Sequence, residues 1–132
     1  MKTYRAVTSF LYNKGKVLIV KRSRKVGWYR GLWSGISGFL EKGEKPHIRA
    51  LTEIREETGM RKARILRKGR PVSTVDRKLK IRWIVYPHLV GVPSRRIKLD
   101  WENVAKRWIR PGEIGKFKTV PSLVEALGEV LR

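Results

Sequence analysis

The sequence predicts a single α/β domain in which a mixed β-sheet lies between helices, and three features of the chain carry that reading. Two β-rich runs, Val7 to Tyr12 and Lys16 to Val20, flank Asn13-Lys14-Gly15, a short connection whose glycine tolerates left-handed backbone, so a hairpin is expected. Leu79 to Val90 is an almost continuous apolar run with Lys80, Arg82 and His88 interspersed, the pattern of a central strand covered on both faces. Two further segments, one between Pro46 and Gly59 and one from Pro121 to Leu131, repeat their apolar residues at helical spacing.

After the hairpin, Ser23 to Arg30 reads as a basic aromatic loop and Trp33 to Leu40 as one strand. That strand enters a loop to which Gly38, near its end, and Gly43 are assigned, Pro46 suits a first helical turn, and Gly59 supplies the helix stop. Within that helix Ala50, Leu51 and Ile54 form an apolar stripe. Ala105 to Ile109 is expected to be a short strand, and the final helix carries Leu123, Val124, Ala126, Leu127, Val130 and Leu131. Of the five tryptophans, 28, 33, 83, 101 and 108, most are expected in the core. The 132 residues, 41% of them hydrophobic, suit one domain spanning 1–132.

Lys and Arg total 32 against 11 Asp and Glu, a formal net charge of +21. Such an excess attracts polyanions such as nucleic acid or polyphosphate and steers them at low salt. A solubility or high-temperature bias would also raise Lys, although heat-adapted ion-pair networks raise Glu with it, and Glu is scarce here. Cysteine is absent, which excludes disulfides, thiolate zinc sites and cysteine nucleophiles and suits a reducing interior. No apolar run approaches the roughly 20 residues of a membrane helix, and Met1 to Arg5 leads into a strand pattern rather than a signal peptide. A cytoplasmic protein without membrane contact is expected.

Five of the eleven acids fall between residues 41 and 57: Glu41, Glu44, Glu53, Glu56 and Glu57. Glu53, Glu56 and Glu57, at i, i+3 and i+4, share one helix face beside the apolar stripe, where like charges cost a few tenths of a kcal/mol per pair. The arrangement is favourable only if cations sit there, either Lys45, Arg49 and Arg55 or a metal ion. Oxygen-only ligation, with His47 and His88 the only histidines, points to a hard ion such as Mg²⁺ or Mn²⁺ rather than zinc.

The segment from Gly38 to Met60 resembles the Nudix box, Gly-x5-Glu-x7-Arg-Glu-U-x-Glu-Glu-x-Gly-U with U aliphatic: Gly38, Glu44, Glu53, Ile54, Glu56, Glu57, Gly59 and Met60 fall on its specified positions. The resemblance extends to Gly27-Trp-Tyr-Arg-Gly-Leu-Trp33 before the box and to Leu99-Asp-Trp-Glu-Asn-Val-Ala-Lys-Arg-Trp-Ile-Arg-Pro111 after it. Together with Thr119-Val-Pro-Ser-Leu123 these flanks most resemble an archaeal group whose relatives occur fused to domains like the alpha subunit of initiation factor 2B.

The resemblance implies an α/β/α sandwich and Mg²⁺-dependent hydrolysis, with Mn²⁺ as a substitute, of a pyrophosphate bond in a nucleoside diphosphate linked to another moiety: a nucleoside triphosphate, an ADP-sugar or a dinucleoside polyphosphate. Glu53, Glu56 and Glu57 would hold the metal, with the carbonyl of Ser37 or Gly38 as a further ligand, and Gly38, Glu44 and Gly59 would shape the motif, Glu44 bracing the loop or joining the outer shell. The base that activates water is Glu53 or Glu102, unless Glu102 simply pairs with Lys106. Arg22, Arg24, Lys25 and Arg30 are the expected phosphate grips, with Trp28 the foremost aromatic for the base, ahead of Tyr29 and Trp33. The two histidines are expected to be structural or exposed.

Thr52 stands where the box has Arg, and a hydroxyl cannot replace a forked cation that orients carboxylates. Reduced rather than absent activity is expected, with Arg49 or Arg55 as partial substitutes. The competing reading is a catalytically weakened module that binds a nucleotide or RNA; a regulatory partner of a larger protein is a third. Nonspecific nucleic-acid binding through the positive charge and a homodimer, common in the family, complete the expectations.

Overall fold

The computed structural model describes residues 1–132. In chain order its elements are β1 (Lys2–Asn13), β2 (Lys16–Arg22), β3 (Trp33–Ser34), β4 (Ile36–Phe39), α1 (Pro46–Thr58), β5 (Arg64–Lys68), β6 (Val72–Asp76), β7 (Ile81–Gly91), β8 (Asn103–Ile109), a 3₁₀ turn (Pro111–Lys116) and α2 (Leu123–Leu131).

One mixed sheet contains all eight strands. β1 runs parallel to β7 along its whole length, from Lys2↔Ile81 to Tyr12↔Gly91. The β1–β2 hairpin is paired only beside its turn, at Tyr12↔Val17 and Asn13↔Lys16; beyond that the two strands diverge. β4 lines the freed edge of β1, from Ala6↔Phe39 to Ser9↔Ile36, while β3 lines that of β2. The stretch read as one strand from Trp33 to Leu40 is therefore two, and the step between them falls at Gly35. A side chain there would press within 2.8 Å of Thr8 Cγ2 and 2.9 Å of the Ser9 carbonyl, so only glycine lets the chain cross at this point.

The sheet is covered on both faces, as an α/β/α sandwich requires. Alternation along each strand divides the apolar residues: Phe10, Val17, Ile19 and Leu89 pack with Leu123, Ala126, Leu127 and Val130 of α2, and Leu11, Leu18, Val20 and Val90 pack with Ile54 of α1. A smaller cluster of Ile81, Trp83 and Val85, with Tyr4, Ala6, Trp28 and Tyr29, lies beyond the reach of either helix group.

Helix α1 starts with Pro46 in its first turn and ends at Gly59, whose φ of 73° lets its N–H reach the Arg55 carbonyl. β5 and β6 were not expected. Both pair with β7, but Arg64–Lys68 has two apolar residues in five and Val72–Asp76 is largely polar, so neither carries a strong strand pattern. The β7 strand begins two residues later than expected because Leu79 and Lys80 form the turn from β6, held by Asp76 Oδ1 accepting from the Leu79 N–H at 3.0 Å. The tryptophans are less buried than expected: Trp83 is in the core, 28, 33 and 108 are partly covered, and Trp101 is 61% exposed. No helix is long and apolar enough to cross a membrane.

Candidate active site

Helix α1 puts Glu53 and Glu57 one turn apart on its sheet-facing side, both buried, while Glu56 faces solvent. Glu53 lies directly over Gly38 of β4: a Cβ at that glycine would sit inside contact distance of the Glu53 Cδ and Cγ and 2.7 Å from Oε1. The glycine is thus the floor on which the carboxylate rests, a reason for its place in the motif that spacing alone does not reveal.

Glu57 is 3% exposed. One of its oxygens accepts from Asn103 Nδ2 at 3.1 Å, and the other, Oε2, is buried with no partner. A buried anionic oxygen left bare costs several kcal/mol unless it is protonated or meets a cation. Burial accordingly pushes the Glu57 carboxyl up to about 9, with Glu102, Glu53 and Asp100 adding to the rise and the Asn103 bond opposing it. Burial, then Glu56 and Glu102, push Glu53 up to about 7 against the pull of Arg49. Glu102 is also raised, by burial and Asp100. These mutual influences place the carboxylates within electrostatic reach of one another, although no three acidic or imidazole side chains close around one point.

The segment after β7 brings Glu102 to this helix. The Lys98 and Asp100 N–H groups bond to the carbonyls of Thr58 and Glu57, Asp100 Oδ1 accepts from the Glu102 N–H at 3.1 Å, and the Ser23 N–H bonds the Glu102 carbonyl. Lys106, the alternative partner, sends its ammonium to the Ile97 carbonyl instead. Arg22 faces Glu102 and Glu57 and is itself partly buried, which lowers its pKa.

Arg49 answers the departure at Thr52. Its guanidinium meets Glu44 Oε2 through Nε at 3.0 Å and Nη2 at 2.6 Å, and reaches Glu53 Oε2 through Nη1 at 3.5 Å. Glu44 in turn accepts from the Glu41 N–H at 2.7 Å, so it braces the loop before α1, and the Arg49 pairing holds its carboxyl below the usual range. Thr52 only returns a hydrogen bond to the Ile48 carbonyl, and Arg55 is exposed and makes no ion pair.

Some of these groups border a cavity of about 590 Å³, whose wall does not include Glu44, Glu56 or Glu57. Glu53, Glu102, Gly38 and Arg49 lie on its wall with Arg22 and Lys25, and Trp28, Phe39 and Trp83 form an aromatic side. Trp28 meets Tyr4, Phe39 and Trp83 at ring separations of 5.2 to 5.9 Å. Of the expected phosphate grips, Arg24 and Arg30 lie outside the cavity, Arg30 because its Nε turns back to the Val26 carbonyl at 2.8 Å. Trp101, one of five tryptophans of which most are expected in the core, lies on the cavity rim; its position beside Glu102 is the available signal. His88 is buried with Nδ1 3.0 Å from the Tyr86 carbonyl, and His47 neighbours Lys68 at 3.4 Å; both stand away from the cavity.

A helix bearing the box glutamates, packed on a mixed sheet with its motif glycine under a carboxylate, defines a Nudix-type domain. The family model described as NUDIX domain matches residues 2–129, and the chain belongs to that family. It is 29% identical over 94 residues to Nudix hydrolase 26, chloroplastic, of Arabidopsis thaliana, matching 67% of this chain and 37% of that protein, so it spans little more than a third of that relative's length. Among solved structures it is similar to the MutT protein from Methanosarcina mazei Go1, with a TM-score of 0.82 at 19% identity over 96% of this chain and 91% of that one. It is also similar to the E. coli dihydroneopterin triphosphate pyrophosphohydrolase, with a TM-score of 0.73 at 18% identity over 93% and 91% of the two chains.

Proposed function

We infer that the protein hydrolyses a pyrophosphate bond in a nucleotide derivative with the help of Mg²⁺, Mn²⁺ serving as a substitute. The observation that carries this reading is the bare, buried Oε2 of Glu57, one helical turn from Glu53 and within the field of Glu102. Such an oxygen set, with no thiolate or imidazole in it, fits a hard divalent ion. Glu53, Glu56 and Glu57 would hold it, helped by the Gly38 or Ser37 carbonyl. A bound ion of this kind neutralises phosphoryl oxygens and acidifies water.

The residues of the chain do the rest. Arg22 and Lys25 neutralise the remaining phosphate charge from the cavity wall, and Trp28, with Phe39 and Trp101, offers faces to a nucleobase. Glu53 and Glu102 both border the cavity, so either can take the proton of a water held there. Arg49 keeps Glu53 directed at the cavity and supplies the cation that Thr52 cannot, which favours an enzyme over the weakened binding module. A nucleoside triphosphate, an ADP-sugar and a dinucleoside polyphosphate are the substrate classes to test first. We assign the protein to the cytoplasm and to the archaeal group related to the initiation factor 2B fusions on its sequence alone, and a homodimer on family habit.

The test is incubation with a panel of such nucleotides and Mg²⁺, product analysis, and repetition in ¹⁸O-labelled water to locate the attacked phosphorus. Turnover that vanishes in EDTA and in Glu56→Gln is expected. Turnover that survives Glu56→Gln would assign the activity to another site. Comparing the pH profiles of Glu53→Gln and Glu102→Gln identifies the base, whose loss removes the acidic limb.

A further inference from the structure

The positive charge of the chain is not spent on the catalytic cavity. Only three cations, Arg49, Lys116 and Arg132, join ion pairs, and six of the ten residues from Arg61 to Arg70 are Lys or Arg without one acid among them. This run enters and forms β5, which pairs with β7 alone. At its start an open groove of about 630 Å³ is lined by Lys14, Arg61, Lys62 and Arg64, with Tyr12, Leu66 and Pro93 between them and no acidic side chain.

The groove is also built rather than incidental. Asn13 Nδ2 donates to the Val92 carbonyl at 2.9 Å, tying the β1–β2 turn to the end of β7. Arg95 Nη2 donates to the carbonyls of Asn13 and Lys14 at 2.9 and 3.2 Å, with its guanidinium carbon 5.9 Å from the Trp108 ring centre. Lys14 is in left-handed backbone, at φ 48°, as the two-residue hairpin turn with Gly15 requires, and it stands on the groove wall. Lys14 joins Arg61, Lys62 and Arg64 on that wall, and none of the four has an acidic partner.

The cavity with Glu53 borders Ala6 and Thr8 of β1, whereas the groove borders Tyr12 and Asn13, so their nearest strand residues are about 13 Å apart along β1. We propose that this groove is a second binding site that seats single-stranded nucleic acid, independent of the hydrolytic centre. The repeated cations match successive phosphates, and the apolar and aromatic residues between them match the faces of unpaired bases, which a duplex keeps stacked within itself. Simple protection of a sheet edge would call for charge on β5 alone; it does not account for Lys14, which the β1–β2 turn brings from the other side.

The experiment is fluorescence anisotropy of a labelled 12-nucleotide oligouridylate with the full chain between 50 and 200 mM salt. Four phosphate contacts give a log–log salt slope near −2.8, roughly a fiftyfold weakening across that range. The exposed triple variant Arg61→Gln/Lys62→Gln/Arg64→Gln should reduce the slope by about 2, with melting temperature and nucleotide turnover unchanged. The charge-matched variant Arg77→Gln/Lys78→Gln/Lys80→Gln, on the β6–β7 turn, should keep the native slope. Equal slopes for the two variants would overturn the proposal in favour of diffuse attraction, and equal affinity for a duplex of the same length would overturn its single-stranded character. Neither result depends on whether the cavity hydrolyses anything.

Discussion

Replacing Glu57 with Gln should stabilise the metal-free protein while abolishing its turnover. In the folded chain Glu57 is buried, and its carboxyl is pushed up to about 9; in the unfolded chain it returns to its ordinary value of 4.5. A folded-state value above the unfolded one means that the folded state holds the proton longer. Its stabilising effect is complete below pH 4.5 and is lost as pH climbs toward 9. At pH 7.5 the loss is roughly 4 kcal/mol, three pH intervals at about 1.36 kcal/mol each, a large share of the roughly 5 to 15 kcal/mol that holds a domain together. Glutamine is neutral at every pH, can keep the acceptor bond from Asn103, and leaves the second terminal atom as unpartnered as Oε2 is now. Most of the 4 kcal/mol should therefore return, roughly 2 to 4 kcal/mol. Urea denaturation in EDTA, followed by tryptophan fluorescence from pH 5 to 9, measures it: the native curve should fall with pH and the Glu57→Gln curve should be flatter. Mg²⁺ should narrow the gap, because a cation beside the carboxylate relieves the same penalty and releases its proton. A native stability that is level from pH 5 to 9, or a Glu57→Gln protein weaker than native at pH 8 in EDTA, would refute the reasoning.

Three further outcomes are expected. Gly38→Ala forces the Glu53 carboxylate off its glycine floor, by about an ångström, which should cost on the order of a hundredfold in turnover; native turnover in that variant would show that Glu53 does not need its present position. Arg49→Gln removes the cation shared by Glu44 and Glu53 and should lower turnover about tenfold, a value of the size that one lost charge-assisted contact produces. Adding Thr52→Arg should restore part of that loss, and no gain in the double variant would mean that position 52 points away from the carboxylates. His88, buried and held down to about 4, is neutral when folded, so its contribution is complete above pH 6.5 and disappears as pH falls to 4; it amounts to at most roughly 3 kcal/mol, read as the drop in urea midpoint between pH 7 and 4.5 that His88→Gln should lessen.

The box and the fold were legible because they depend on local rules: glycine at a helix stop, carboxylates at helical spacing, apolar alternation in β1, β2 and β7. What escaped the sequence depends on partners distant in the chain. β5 and β6 have too few apolar residues to announce themselves and become strands only because β7 offers its edge. The break at Gly35 follows from the divergence of β1 and β2, which no window of residues contains. Arg49 rather than Arg55 meets the carboxylates because the Glu44 loop folds back onto that side of the helix, and Arg30 stays out of the cavity because its own loop claims it. Residue type alone favours the core for most of the tryptophans, yet Trp101 sits in the turn that bonds to the end of α1 and so stays on the rim.

The electrostatic layout also explains why so basic a chain keeps this group of acids. Unpaired cations on the surface draw anions of every size, but a phosphoanhydride is cleaved only where negative charge can be met at close range and a water activated, which requires carboxylates to gather a divalent ion. Burying Glu53 and Glu57 among like charges raises both carboxyls, and under the proposed function a bound cation would relieve that penalty. A site made comfortable for the empty protein, with Arg in contact with every carboxylate oxygen, would leave no such penalty to relieve. Arg49 is confined to Glu44 and the outer oxygen of Glu53, while Glu57 Oε2 is left with no partner at all, so the oxygen most costly to keep bare is the one a metal would gain most by reaching.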